Sequence, residues 1–347
     1  MDTSSKALTT YKLKEDLSTK LSEINYDKLF LLMDTNTKKY CRSLLDGIEN
    51  IDSAYEIIIE AGEENKTIEA VMHIWSELEL GGAKRNSLFI NLGGGMISDL
   101  GGFAASCYKR GIRYINIPTT LLAQVDASAG GKTGFNMHSI KNQIGVFSLP
   151  EAVLVNPDFL KTLSKKNIIS GYGEMLKHAL IHDEKYLEDL LTFDLDNVDY
   201  YDLGLLISKS IDIKEYFVEQ DPKEENIRKA LNFGHSIGHA IESYSLMNNI
   251  DLYHGEAVAL GMISELYLSY LKKDFPEQKL KDITSKIKAI YPIFTTTDCK
   301  DELIEIMQHD KKNTSSKINF TLLIDIGNFE IDNYCEIKEI KEALDYL

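Results

Sequence analysis

Apolar and polar positions along this chain follow two different rhythms. In the first half, short continuous apolar runs are separated by longer mixed stretches. Lys28–Met33 (KLFLLM), Tyr55–Glu60 (YEIIIE), Ser87–Leu92 (SLFINL) and Tyr114–Ile117 each read as a buried strand, and Ile68–Leu80 and Ile97–Tyr108 as helices. Strand and helix in that order predict a parallel α/β sheet, and such sheets bind ligands beyond the carboxyl ends of their strands. Asp34, Glu63 and the triplet Gly93–Gly94–Gly95 stand at those ends. From about Pro157 helical periods dominate, in Ile169–His182, Leu203–Glu219, Ile227–Tyr244, Glu256–Lys272 and Leu280–Ala289. A strand-like Ile318–Ile324 and a turn at Gly327–Asn328 follow. The pattern predicts an α/β domain over residues 1–156, a mainly α-helical domain over 157–347, and a binding cleft between them.

Composition narrows the class of partner. The 347 residues are 44% apolar and 27% charged, within the ordinary globular range. The formal charge of -16 disfavours a nucleic-acid partner. An anionic small molecule remains compatible, provided cations are gathered locally. Cys41, Cys107, Cys299 and Cys335 are scattered and form no Cys-x-x-Cys pair, which suits reduced thiols and the cytoplasm. The polar start of the chain does not read as a signal peptide, and no apolar run has membrane-spanning length, so no membrane association is expected.

Three groups of residues carry candidate chemistry. The Gly93–Gly95 triplet closes a strand and opens a helix, where backbone amides and the helix N-terminus favour a pyrophosphate. It departs from G-x-G-x-x-G at Ser98, and a plain strand-to-helix turn would read the same way. Asp99 could bind a ligand hydroxyl or serve as a cap. Gly130–Gly131–Lys132–Thr133 looks like the tail of a P-loop, but Asp126 stands where that loop needs glycine. Nucleotide hydrolysis is therefore disfavoured, and Lys132 reads as an anion ligand. His235 and His239, spaced i, i+4, share a helix face, with His254 beyond a short loop and Glu174 on an earlier helix. Imidazoles with a carboxylate suit zinc or a similar divalent ion. The alternatives are a hydrogen-bonded surface pair of histidines and a salt bridge of Glu174 with Lys177 or His178. His73, His138, His182 and His309 have no spacing that singles them out. Arg110, Lys132, Lys141, Asn142, Lys177, Lys214, Arg228, Lys311 and Lys312 lie within or beside these motifs, as cations or polar groups that could hold phosphate and carboxylate if they converge.

Taken together, the runs GGGMISDLGGFAAS, YKRGIRYINIPTTLLAQVDASAGGKTGFN, KNQIGVF, NPDFLKTL, GYGEMLKH, RKALNFGHSIGHAIE, HGEAVALGM and HDKKN closely resemble the 3-dehydroquinate synthase family of sugar-phosphate cyclases. The resemblance implies a Rossmann-like N-terminal domain, a helical C-terminal domain and a homodimer. It also implies NAD, one zinc or cobalt ion, and 3-deoxy-D-arabino-heptulosonate 7-phosphate as substrate. Carried onto matching positions, the metal ligands are Glu174, His235 and His254, and His239 meets substrate or moves a proton. Spacing alone would instead pair His235 with His239. The NAD set is Asp34, Asn36, Glu63, Lys66, Gly94, Gly95, Asp99, Thr119, Thr120, Leu122, Asp126, Lys132, Lys141, Thr162 and Leu163. The substrate set is Asp126, Lys132, Asn142, Lys177, Lys214, Arg228, Asn232, His239 and Lys311 or Lys312, with Arg110 acting across the dimer. Ser164 stands where the family often has proline, and Tyr172 and Met175 read as tolerated variants.

The implied chemistry is redox-neutral: a hydride leaves C5 for NAD, phosphate is eliminated and itself takes up the proton, the hydride returns, and an enol closes the carbocycle. The rival readings are a cyclase acting on glucose 6-phosphate or sedoheptulose 7-phosphate, a metal-dependent polyol dehydrogenase, and an inactive paralogue kept for binding.

Overall fold

The structure is a computed structural model, and it describes residues 7–127, 130–137, 140–309 and 318–347. Its strands are β1 (Ala7–Thr9), β2 (Leu29–Asp34), β3 (Tyr55–Ile59), β4 (Leu88–Gly93), β5 (Arg113–Pro118), β6 (Lys132–Met137), β7 (Ile140–Phe147), β8 (Ala152–Val155), β9 (Ile318–Asp325) and β10 (Asn328–Cys335). Its helices are α1 (Leu13–Glu23), α2 (Thr35–Tyr40), α3 (Ile68–Leu80), α4 (Gly95–Cys107), α5 (Lys165–His182), α6 (Glu184–Thr192), α7 (Tyr200–Gln220), α8 (His235–Met247), α9 (His254–Lys273), α10 (Glu277–Ile290), α11 (Lys300–His309) and α12 (Ile337–Asp345). The chain divides into two compact units, residues 1–164 with 199–211, and residues 165–198 with 212–347.

The first unit is built on a six-stranded parallel sheet in the order β1-β8-β5-β4-β2-β3. Its central strands are mostly apolar because both faces are covered. On β2, Leu29, Leu31 and Met33 enter one core with Leu13, Leu17 and Leu21 of α1, while Phe30 and Leu32 enter the other with α3 and α4. Burying each such side chain contributes about 1.5–3 kcal/mol, so these runs fix the layer order more firmly than any local propensity does. The chain moves outward from β2 to β3, returns to β4 beside β2, and then proceeds the other way through β5 and β8. The switch point therefore lies between the carboxyl ends of β2 and β4, at Asp34 and Gly93.

The second unit is helical, with the β9–β10 hairpin packed on α9. Helix α9 is buried over most of its length and packs against α5, α8, α10 and α12. Two glycine contacts bring its neighbours close. A Cβ at Gly255 would overlap the carbonyl of Ser170 on α5, and one at Gly261 would overlap the carbonyl of Gly234 at the start of α8.

Two elements differ from expectation. The helical period read over Ile227–Tyr244 is broken: Ile227–Asn232 is a 3-10 turn, and α8 begins only at His235. Gly234 takes φ +78, and a Cβ there would meet Met262 Cγ at 2.5 Å, so the backbone reverses hand before the helix. The glycine–lysine stretch, read for its motif alone, leads into β6, which pairs antiparallel with β7 so that Gly134 and Gly145 face one another without side chains.

Candidate active site

In the first unit, Asp34 and the Gly93–Gly95 turn, two of the stretches predicted to bind a dinucleotide, stand at the switch point. Gly94 is the N-cap of α4 and has no side chain to cap it, leaving the first amides of that helix facing outward. A Cβ on Gly95 would meet nothing within 4 Å, so the space over the first turn is open to a ligand. Gly93 is different: a Cβ there would run into Ile97, so that glycine serves the turn itself. The plain-turn reading of the triplet thus describes Gly93, and open space is left over Gly95.

Asp34 ends β2 and is already engaged, its Oδ1 accepting the Thr37 amide at 2.7 Å as the N-cap of α2. Asn36 is exposed on the same turn. Lys66 is buried, with its Nζ 2.5 Å from Asp99 Oδ2, 2.6 Å from Asn142 Oδ1 and 3.8 Å from Glu63 Oε1. Burial pushes the Asp99 carboxyl above its ordinary range, and Lys66 pulls it back, with Glu63 and Asp126 adding negative charge nearby. Lys132 lines the same small recess as Asp99. The Thr119 amide donates to Gly93 O at 3.0 Å, and Thr120 packs over Gly94. Leu122 and Leu163 are half-buried, and Thr162 and Lys141 are exposed. Arg110 goes elsewhere. It stands just before β5, at the opposite end from Pro118, and lines a cavity of about 460 Å³ with Arg85, Arg113 and Phe147.

In the second unit, four side chains predicted for metal chemistry converge. His235 and His254 are the first residues of α8 and α9, and Glu174 follows Gly173, whose missing side chain lets α5 lie against Gly255. Ligand atoms of His235, His239 and His254 lie within 4.8 Å of one another. Glu174 is 1% exposed, and its Oε1 lies 3.4 Å from His235 Nε2 and 3.6 Å from His254 Nε2. That oxygen accepts no hydrogen bond among the described residues. Its partner Oε2 contacts Lys177, which is the salt bridge that one reading of Glu174 expects. Burial alone would push the Glu174 carboxyl up, but Lys177, the largest opposing influence, holds it well below its ordinary range.

The outer nitrogens of the two histidines are held as metal-binding imidazoles usually are. His235 Nδ1 donates to Phe233 O at 3.1 Å, which leaves Nε2 with its lone pair toward Glu174. His254 Nδ1 meets Glu242 Oε2 at 3.1 Å. Burial and Lys177 lower the pKa of His235. His254 moves the other way: burial is outweighed by Glu174 and Glu242, and its pKa rises to about 10. A buried, ionised carboxylate oxygen without a hydrogen bond, facing two imidazoles, fits a divalent cation.

The predicted anion ligands of this unit are partly assembled. Lys177 and Arg228 are 2% and 3% exposed, and Lys214 is buried on α7. Arg228 Nη1 donates to Pro222 O at 2.9 Å, and Asn232 Nδ2 to Glu224 Oε1 at 2.9 Å. Lys311 and Lys312 lie outside the described residues.

Comparison with known proteins identifies the frame for this geometry. The family model described as 3-dehydroquinate synthase N-terminal matches residues 56–170, and the one described as 3-dehydroquinate synthase C-terminal matches residues 171–313. A 3-dehydroquinate synthase of Parabacteroides distasonis is 49% identical over 336 residues, covering 96% of this chain and 95% of its own. The chain belongs to the 3-dehydroquinate synthase family. Solved structures share the fold of this dehydroquinate synthase relative. One is 2-deoxy-scyllo-inosose synthase complexed with carbaglucose-6-phosphate, NAD+ and Co2+, with TM-score 0.85 and 24% identity over 97% of this chain and 95% of that one. Another is 2-epi-5-epi-valiolone synthase from Streptomyces hygroscopicus with NAD+ and Zn2+ bound, with TM-score 0.84 and 23% identity over 99% and 96%.

Two contributors to this histidine–glutamate cluster have no part in the sequence reading. Glu242 lies on α8 one turn beyond His239, on the face that carries both histidines, and that spacing was the available signal. The carbonyl of Phe233 leaves no signal, because any residue supplies one.

Proposed function

We propose that the chain is a 3-dehydroquinate synthase, converting 3-deoxy-D-arabino-heptulosonate 7-phosphate to 3-dehydroquinate and phosphate with bound NAD and one zinc or cobalt ion. The observation that carries this is the convergence of Glu174, His235 and His254, at 3.4 and 3.6 Å, in a chain of this family. When bound, NAD would supply a hydride acceptor and donor, and the divalent ion would supply Lewis-acid polarisation of substrate hydroxyls.

The rest falls to the chain's own side chains. Glu174 offers an ionised oxygen, and His235 a neutral Nε2 fixed by Phe233. His239, within reach of both histidines, would meet a substrate hydroxyl or move its proton. Lys132, Asn142, Lys177, Lys214, Arg228 and Asn232 would hold phosphate and carboxylate, restricting the substrate to a reactive conformer. Gly94 and Gly95 offer a helix N-terminus to a pyrophosphate, with Asp34, Lys66 and Asp99 beside it. A homodimer in the cytoplasm completes the reading. The exposed Met137, Ile144, Val146 and Phe147 on the β6–β7 hairpin support an apolar contact between copies. No described helix is long and apolar enough to cross a membrane.

Phosphate release from three sugar phosphates tests the substrate. The carboxylated heptulosonate is expected to react at least about a hundredfold faster than glucose 6-phosphate or sedoheptulose 7-phosphate, since a site that pairs cations with a carboxylate loses those charge-assisted bonds with a substrate that lacks one. Preference for either neutral-headed sugar phosphate would reassign the substrate while keeping the cyclase chemistry.

A further inference from the structure

The first turn of α8 carries His235, yet it has no cap of its own. Helices expose their first amides, and a serine, threonine, aspartate or asparagine at the N-cap commonly accepts one of them, while a glutamate at N3 returns a bond to the N-cap amide. Here the N-cap is Gly234 and N3 is Ile237, and neither has a side chain able to accept a hydrogen bond. Gly234 cannot be exchanged for a capping residue. Its φ is +78, and a Cβ would meet Met262 Cγ at 2.5 Å and Val258 O at 3.0 Å.

Both bonds come instead from another helix. Glu265, on α9, is fully buried. Its Oε2 accepts the Gly234 amide at 2.7 Å, and its Oε1 accepts the Ile237 amide at 3.2 Å. One carboxylate thus performs both halves of a capping box, at the positively polarised end of the helix where a negative group is favoured. Glu265 lies about three turns beyond His254 on the same helix. The contacts between α8 and α9 run in opposite directions: Glu265 meets Gly234, Gly261 meets Gly234 and Gly238, and Glu242 meets His254. The two histidines are therefore fixed between a carboxylate clamp at one end and the Glu242 bond at the other.

We propose that Glu265 is a positioning residue for the histidine centre: from α9, it supplies the cap that Gly234 cannot carry and so holds the turn bearing His235 in register with His254. The proposal rests on the reading of Glu174, His235 and His254 as a metal centre, and it makes Glu265 a determinant of metal affinity without touching the ion.

The test uses the full-length protein with Glu265→Gln, Glu265→Ala, and a control, Leu344→Ala, in a buried position on α12. Two quantities are read: amide hydrogen exchange over residues 234–238 in metal-free protein, and Co2+ affinity with its visible absorption spectrum. Glu265→Ala is expected to speed exchange across that turn and weaken Co2+ binding roughly 10- to 100-fold, with a changed visible spectrum. Glu265→Gln keeps one acceptor and falls between wild type and alanine, which also covers failure of the alanine variant to fold. Leu344→Ala is expected to lose stability but keep wild-type exchange in the turn and wild-type affinity. Wild-type exchange and affinity in both Glu265 variants would overturn the proposal, as would equal losses in Leu344→Ala. If the wild type binds no Co2+, the metal reading fails; the exchange measurement on metal-free protein still decides whether Glu265 is the cap.

Discussion

At the residue scale, the histidine centre makes a prediction about protons. His254, raised to about 10 by Glu174 and Glu242 against the cost of burial, is charged in the metal-free protein at neutral pH. His235, pushed down by burial and Lys177, is neutral. Because the folded value for His254 lies above the ordinary 6.5, its charge adds stability that is complete below pH 6.5 and fades as pH rises through 10. A metal needs both imidazoles neutral, so loading at pH 7.5 is expected to release about one proton. Calorimetry in buffers of different ionisation enthalpy measures that number, and release of none would contradict the assignment of His254. His235→Ala is expected to abolish binding, and full occupancy in that variant would remove His235 from the ligand set. Arg228→Ala is expected to raise KM for the substrate at least about tenfold with NAD affinity unchanged, since a charge-assisted contact to the substrate anion is lost together with the bond to Pro222 O. A parallel loss of NAD affinity would point to unfolding instead.

The sequence made part of this centre legible. The His235–His239 spacing and the motif around Glu174 were readable from order alone, because both are local. Glu242, the Phe233 carbonyl and Glu265 act across helices, and their roles depend on which faces meet. That meeting is decided by glycines at crossing points, which look like ordinary small residues until the partner helix is in place.

At the element scale, three glycines make opposite predictions. Gly95→Ala meets open space within a helix, so the protein is expected to fold with unchanged or slightly higher thermal stability, by up to ~1 kcal/mol, while NAD binding weakens. Gly255→Ala and Gly261→Ala drive a methyl group into backbone carbonyls of α5 and of the turn before α8, and are expected to cost at least about 1–3 kcal/mol and to weaken metal binding as well. Thermal unfolding together with fluorescence titration of NAD separates the two classes. A normal NAD affinity in Gly95→Ala would mean that the pyrophosphate lies elsewhere. The buried parallel strands were readable because they are apolar on both faces. The break before α8 was not, since Gly234 interrupts an apolar period that otherwise continues. The β6–β7 hairpin was also missed, because its glycines and exposed apolar residues follow neither a helical nor a half-buried strand pattern.

At the scale of the whole molecule, an acidic chain of net charge -16 is assigned an anionic substrate, and the account depends on a few buried cations to hold it. Light scattering is expected to give about twice the chain mass of 39.2 kDa, and Phe147→Asp on the hairpin is expected to shift it toward monomer. A monomeric wild type at micromolar concentration would remove the role of Arg110 across a dimer. The central claim is that hydride transfer here is internal to a phosphate elimination. It is tested by mixing metal-loaded protein, NAD and 3-deoxy-D-arabino-heptulosonate 7-phosphate in one cuvette, following phosphate and the NADH absorbance together, and identifying the product by mass spectrometry. The account predicts one phosphate released per dehydroquinate formed, with no NADH accumulating. NADH accumulating without phosphate release would contradict it and make the protein a dehydrogenase.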